Sequence, residues 1–230
     1  MDKKTDPKPK AGVKFADPKS TLANASANTA REKEEKPKVV LSLEDCRSTV
    51  IKIYNEADTA FKLCTKNDPD AKRKDTARAL CKILETLKEA LTYLNNQNTE
   101  NKEKLYYLTY NGTIYIFEIC RVLRRSVYSS LTIQYIAYSI LSMEKNLNLL
   151  GVKFLDWRVK LYIELAHIYE ECDSYKAAGK AIETAISKVN ELKELEESDP
   201  PVPEHTATIL ANNLRILKAL DIKYKLHVRE

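Results

Sequence analysis

Side chains with reactive chemistry are few in this sequence, and they are scattered. Glu164 and His167 form Glu-x-x-His within an apolar helical pattern. That is half the ligand set of a di-iron bundle, which needs a second such pair and two further glutamates. The other histidines, His205 and His227, lie before or on a last helix, so His167 reads as a packed or surface residue. Cys46, Cys64, Cys81, Cys120 and Cys172 lie 18, 17, 39 and 52 residues apart with no Cys-x-x-Cys. This fits small buried thiols in a reduced, intracellular protein, not a zinc site or a disulfide framework. Gly12, Gly112, Gly151 and Gly179 are isolated, so no phosphate-cradling loop can be built from them. No serine sits in a nucleophile elbow. The expectation is a chain that is not an enzyme, with no catalytic residue, no cofactor and no metal.

Two other groups of residues are candidates for contact with a partner. Arg121, Arg124 and Arg125 cluster at the end of one helical segment. They either complement the negative end of the helix dipole or face an anionic surface. Trp157 beside Arg158 reads as core packing or as an interface anchor, since both types are enriched at binding hot spots. These five are the candidate interface residues. The eleven tyrosines from Tyr93 to Tyr175 are too many for a cofactor box and suit filler between helices, with hydroxyls reaching the edge.

The elements that must position these residues are helical from Ser42 onward. Ser42, with Asp45 three residues later, forms a helix start. Val50, Ile53, Tyr54, Ala57 and Phe61 then recur at i, i+3, i+4 spacing. Asn67-Asp68-Pro69-Asp70 breaks that helix, and a second begins near Asp75 and ends at Asn95–Asn98. The stretch Leu105–Phe117, with Asn111-Gly112 at its centre, has the composition of a β-hairpin. Neither arm alternates, however, and a lone hairpin among helices is marginal. A helix from about Asn101 to Arg125 is preferred, with Gly112 costing about 1 kcal/mol unless a neighbouring helix packs closely there. Further helices are expected over Ser129–Leu150 with Gly151 as cap, over Phe154–Glu171, from Ser174 to Glu197 with Asp173 as cap, and from Pro203 to Val228 after the break Pro200-Pro201-Val202-Pro203.

Helix pairs begin near Leu43, Asn101, Phe154 and Pro203, in steps of 58, 53 and 49 residues. One pair, with Tyr162, Leu165, Ala166 and Tyr169 followed by Ala178, Ile182 and Ala185, has a tetratricopeptide-like pattern. The fold class is therefore all-α, a helical-hairpin array of the α-solenoid, tetratricopeptide-like kind. The seventh helix is expected to lack a partner within the chain, which suggests part of a longer array or docking to something else.

Charge divides the chain. Of 230 residues, 1–40 carry ten Lys/Arg against six Asp/Glu, and the rest carry 28 against 27. Residues 1–40 also hold four of eight prolines and no Tyr or Trp, the composition of a disordered basic tail. The helical-repeat domain is then 41–230, nearly neutral, with no electrostatic case for nucleic acid. No apolar run approaches the ~18–20 residues of a membrane span, and the N-terminus lacks the apolar stretch of a signal peptide.

The segments Tyr110-Asn-Gly-Thr-Ile-Tyr-Ile116 with Cys120, Met143-Glu144, Phe154-Leu-Asp-Trp-Arg158 and Leu161-Tyr162 resemble the N-terminal helical region of the cilia- and flagella-associated protein 54 family. The resemblance is specific over residues 100–195 and rests on helical pattern alone over 43–99. It implies a non-enzymatic scaffold of the motile cilium or flagellum, in a central-apparatus microtubule projection, with other axonemal proteins as partners. Cytoplasm, cytoskeleton and cilium axoneme are the implied locations. That family's proteins are many times longer, so the expectation is the beginning of such a scaffold or a short paralogue. The basic tail adds tubulin, with its acidic tails, as a candidate partner. The competing expectation is a soluble tetratricopeptide-like adaptor that binds a partner's peptide.

Overall fold

A computed structural model describes residues 42–146, 151–198 and 201–227. The expected basic tail, residues 1–40, lies outside them. So do the end of the fourth expected helix (147–150), Pro200, and Val228.

Seven helices account for nearly all of the described chain, and the described residues contain no strand. Helix α1 (Leu43–Thr65) opens as its sequence predicts, with the Ser42 hydroxyl accepting the Asp45 amide at 3.1 Å. Asp45 reaches back only to that hydroxyl, at 2.7 Å. After α1, the Asp68 carboxylate turns inward and accepts the amides of Lys72 and Arg73 at 3.0 and 2.9 Å. The Arg73 bond is the main reason that its carboxyl is held below the usual range. Helix α2 (Lys74–Asn95) follows. Asn98 then caps α3 (Thr99–Arg124) by accepting the Asn101 amide at 2.8 Å.

Helix α3 runs straight through the segment whose composition suggests a hairpin. Gly112 makes this possible. A Cβ there would collide with the Tyr54 hydroxyl and lie 2.9 Å from Leu91 Cδ2. The bare backbone lets a side chain of α1 and one of α2 reach α3 in the same turn. Tyr54 uses that access to donate to the Leu108 carbonyl at 2.9 Å. Burial raises its phenol well above the ordinary value, so it stays a donor.

Helix α4 is described over Ser129–Asn146. Gly151, at φ +51°, opens a 3-10 turn, Gly151–Phe154, that leads into α5 (Leu155–Glu171). The next turn corrects an expectation. Asp173 does not cap the following helix; it closes α5. It sits at φ 55°, donates its amide to Glu170 O at 3.0 Å, and Ser174 donates to Tyr169 O at 2.8 Å. This is a Schellman closure with Asp in the left-handed position usually taken by Gly. Helix α6 (Tyr175–Glu197) then starts without a side-chain cap, and α7 spans Glu204–His227.

Each helix packs antiparallel-hairpin fashion on its neighbour in sequence. In addition α1 meets α3, α2 meets α4 and α5 meets α7, so odd- and even-numbered helices form two layers. In the α5–α6 hairpin Tyr162, Leu165, Ala166, Ala178, Ile182 and Ala185 are all buried, with the alanines where the helices must approach. The seventh helix differs from expectation, because it does have a partner. Leu210, Asn213, Leu217 and Tyr224 are buried against α6 and α5. Counting helices in pairs leaves α7 alone, whereas it packs on α6 and α5 just as α3 packs on α2 and α1.

Replacing Gly112 with Ala tests the close approach. Better helix propensity favours Ala by about 1 kcal/mol, and overpacking costs about 1–3 kcal/mol. Urea unfolding should show a net loss for Gly112→Ala. Adding Tyr54→Phe, which removes the nearest atom, should recover part of it.

Candidate interaction surface

The candidate residues from the sequence fall into two groups in space. Arg124 reaches from α3 to α5, where its guanidinium donates to both Glu164 and Glu171. Glu164 is buried in that pairing, which leaves the Glu-x-x-His pattern without a free carboxylate. Among the described residues no three His, Cys, Asp or Glu side chains are placed to hold a metal. All five cysteines are free thiols, and burial pushes the fully enclosed Cys120 thiol well above its ordinary pKa. Arg158, on α5, is 7% exposed and grips Glu144 of α4 with two hydrogen bonds, at 3.1 and 2.7 Å.

Trp157 lies over α3. Its indole N–H donates to Thr113 Oγ1 at 2.9 Å, and Thr113 donates to the Tyr110 carbonyl at 2.7 Å. Its ring meets Tyr110 and Phe117 at centroid distances of 5.9 and 5.1 Å, and Phe154 meets Tyr110 at 4.8 Å. Positions 110, 113 and 117 share one face of α3. The segments that carry the family resemblance are thus the two sides of one aromatic seam. Arg121 and Arg125 face outward, with side chains 47% and 54% exposed, and hold loose ion pairs with Glu118 at 3.4 Å and Asp70 at 3.7 Å.

An open groove lies elsewhere, between α6 and α7. It has a volume of about 740 Å³, is floored by Ala207, Ala211, Leu214 and Ile222, and is rimmed by Lys193, Glu197, Arg215 and Lys218. Ile222 is 61% exposed. In sequence the apolar residues that stand out in α7 are Ile209, Leu210, Ile216, Leu217, Leu220 and Tyr224. The helix carries two apolar faces: Leu210, Leu217 and Tyr224 inward, and Ala207, Ala211, Leu214 and Ile222 along the groove. The second set was readable as its own i, i+4, i+7 stripe.

A family profile described as cilia- and flagella-associated protein 54 matches residues 43–211, from the start of α1 into α7. The chain belongs to the cilia- and flagella-associated protein 54 family. Curated relatives of that name are 29% identical in Homo sapiens and 26% in Mus musculus, each over 136 residues. The Chlamydomonas reinhardtii relative is 22% identical over 138 residues. These matches take in 59–60% of this chain and only 4% of each relative's length. The profile covers the first two helices as well, where the sequence resemblance rested on pattern alone. Among the described residues no helix is long and apolar enough to cross a membrane.

Glu144→Ala leaves the Arg158 guanidinium buried without its carboxylate, and such a break costs about 3–5 kcal/mol. A chemical melt should show a loss of that order, and Glu144→Ala/Arg158→Met should recover much of it. Glu170 on α5 accepts from Lys223 Nζ at 2.6 Å and from the Tyr224 hydroxyl at 2.9 Å, both on α7. The Lys223 hydrogen bond leads in holding its carboxyl below the 4.5 usual for glutamate. A lowered folded pKa means stabilisation that is complete above the unfolded value and is lost as pH falls through the folded one. Protection of α7 amides, relative to their intrinsic exchange rates, should therefore fall more steeply in acid than protection in α3, and Glu170→Gln should flatten that difference.

Proposed function

We propose that this chain is a non-enzymatic structural component of the motile cilium or flagellum axoneme, acting through protein–protein contacts in a microtubule projection of the central apparatus. The observation that carries this is the family match, which runs across α1 to α6 and into α7. The interior supports it. Charged and aromatic side chains of the kind that build active sites are here committed to joining helices, as in Arg124 to Glu164 and Glu171 and Arg158 to Glu144.

In this reading the helical-repeat domain, 41–230, is the scaffold, and its partners are other axonemal proteins. Arg121 and Arg125, the exposed pair among the five candidates, are proposed as partner contacts; Arg124, Trp157 and Arg158 hold the surface behind them in shape. The basic tail, residues 1–40, is proposed to meet the acidic tails of tubulin, an attraction that salt would screen. Neither nucleic acid nor membrane is a proposed partner. The alternative is a tetratricopeptide-like adaptor, favoured by the small-residue packing of the α5–α6 hairpin.

The test is fractionation of ciliated cells that express the tagged chain. Retention in detergent-extracted axonemes, with release alongside central-pair proteins at high salt, is the expected result. A chain found only in the soluble fraction would overturn the scaffold reading in favour of the adaptor.

A further inference from the structure

We propose that the groove between α6 and α7 is a docking site for an amphipathic helix of a partner protein, one whose apolar stripe is flanked by acidic residues. This deepens the scaffold reading and rests on it.

Layer geometry supplies the first argument. Helix α2 packs on α1, α3 and α4, and α4 packs on α3 and α5 as well as α2. Helix α4 thus lies beside the preceding even-numbered helix, α2, and over α3. The groove is the equivalent position beside α6 and over α7. Its floor is apolar, and Ala207 and Ala211 are small enough to let a helix backbone come close.

Charge supplies the second. Lys193 is spent on Glu197 at 3.5 Å, but neither Arg215 nor Lys218 has an ion-pair partner among the described residues. Both are exposed and border the apolar floor. Two free cations beside an apolar stripe select a helix with carboxylates along its edge.

The same cations disfavour a second copy as occupant. Arg215 and Lys218 lie near the middle of α7 (Glu204–His227). A two-fold pairing of α7 with α7 would bring them against their own copies at the axis.

The test uses the full chain and two synthetic peptides of about 20 residues, long enough to form a helix. Both carry leucines at i, i+3, i+4 and i+7. One is flanked by glutamates and the other by lysines. Fluorescence anisotropy should show binding of the glutamate peptide at least about tenfold tighter than the lysine peptide. Arg215→Glu/Lys218→Glu, at exposed positions and with an unchanged melt, should reverse that preference. Equal binding of both peptides, no binding of either, or a preference untouched by the charge reversal would overturn the proposal. So would sedimentation showing a dimer that the same reversal disrupts, since the groove would then hold a second copy. A chain retained in axonemes that ignores both peptides would sink this proposal and leave the scaffold reading standing, whereas a soluble chain that binds the glutamate peptide would do the opposite.

Discussion

One turn of α3 carries the constraint on which the rest of the array depends. At Gly112 the missing side chain admits Tyr54 from α1 and Leu91 from α2. At Thr113, the next residue and so about 100° round the helix, the hydroxyl receives Trp157 from α5. Three helices are thereby registered against two consecutive residues. The glycine is tolerated mid-helix because its propensity cost of about 1 kcal/mol is exchanged for contacts that no side chain would allow. The threonine is tolerated because its hydroxyl bonds the Tyr110 carbonyl and the indole together, so neither polar group is buried unpaired.

Polar clamps take over where the aromatic seam stops. Arg124 joins α3 to α5, Arg158 joins α5 to α4, and Glu170 joins α5 to α7. In the other layer Tyr135 of α4 donates to Glu85 of α2 at 2.7 Å, and Asn95 of α2 donates to Ser142 of α4 at 3.0 Å. The buried ones among these clamps, Arg124–Glu164, Arg158–Glu144 and Asn95–Ser142, add less net stability than equally sized apolar contacts, but breaking one is costly, so they penalise a wrong register. A chain rich in leucine and tyrosine stripes could slide by a turn at small loss in burial alone. The clamps make such a slide expensive, and α5 takes part in three of them.

The helices themselves were legible because their apolar spacing is a local property. The start at Ser42 and the breaks at Asn67–Asp70 and Asn95–Asn98 lie where side chains that prefer the backbone as partner interrupt that spacing. Asn98, expected to end α2, instead caps α3, which begins at Thr99, ahead of the expected start at Asn101. What stayed hidden depends on neighbours far along the chain. Asp173 is equally able to begin a helix or to end one, and only the observed φ of 55° decides for α5. The Arg121–Arg125 cluster is uniform in sequence, yet Arg124 alone points at α5 while its neighbours meet solvent. The second apolar face of α7 keeps its own i, i+4, i+7 spacing, but Ala207 and Ala211 are small beside Leu210 and Leu217, so the larger residues dominate the pattern. The seam between Tyr110–Phe117 and Phe154–Trp157 was visible only as resemblance, two separate segments whose contact the sequence does not print.

Such an array is nearly one-dimensional, with stability built from contacts between near neighbours in the chain. Among the described helices, α3 and α5 therefore differ from α7 in how they are held. Around α3 and α5, helices pack from several sides, and removing one contact leaves the others to hold register. At α7 the inward face is covered by α6 and tied to α5 through Asn213–Asp156 and Glu170–Lys223, while the groove face retains exposed Ile222. A helix bound in that groove would add packing to α7 and so extend toward the last helix the many-sided support that α3 already has. The physical rule that stabilises the interior of the array is the same one that makes its open face a place for another helix.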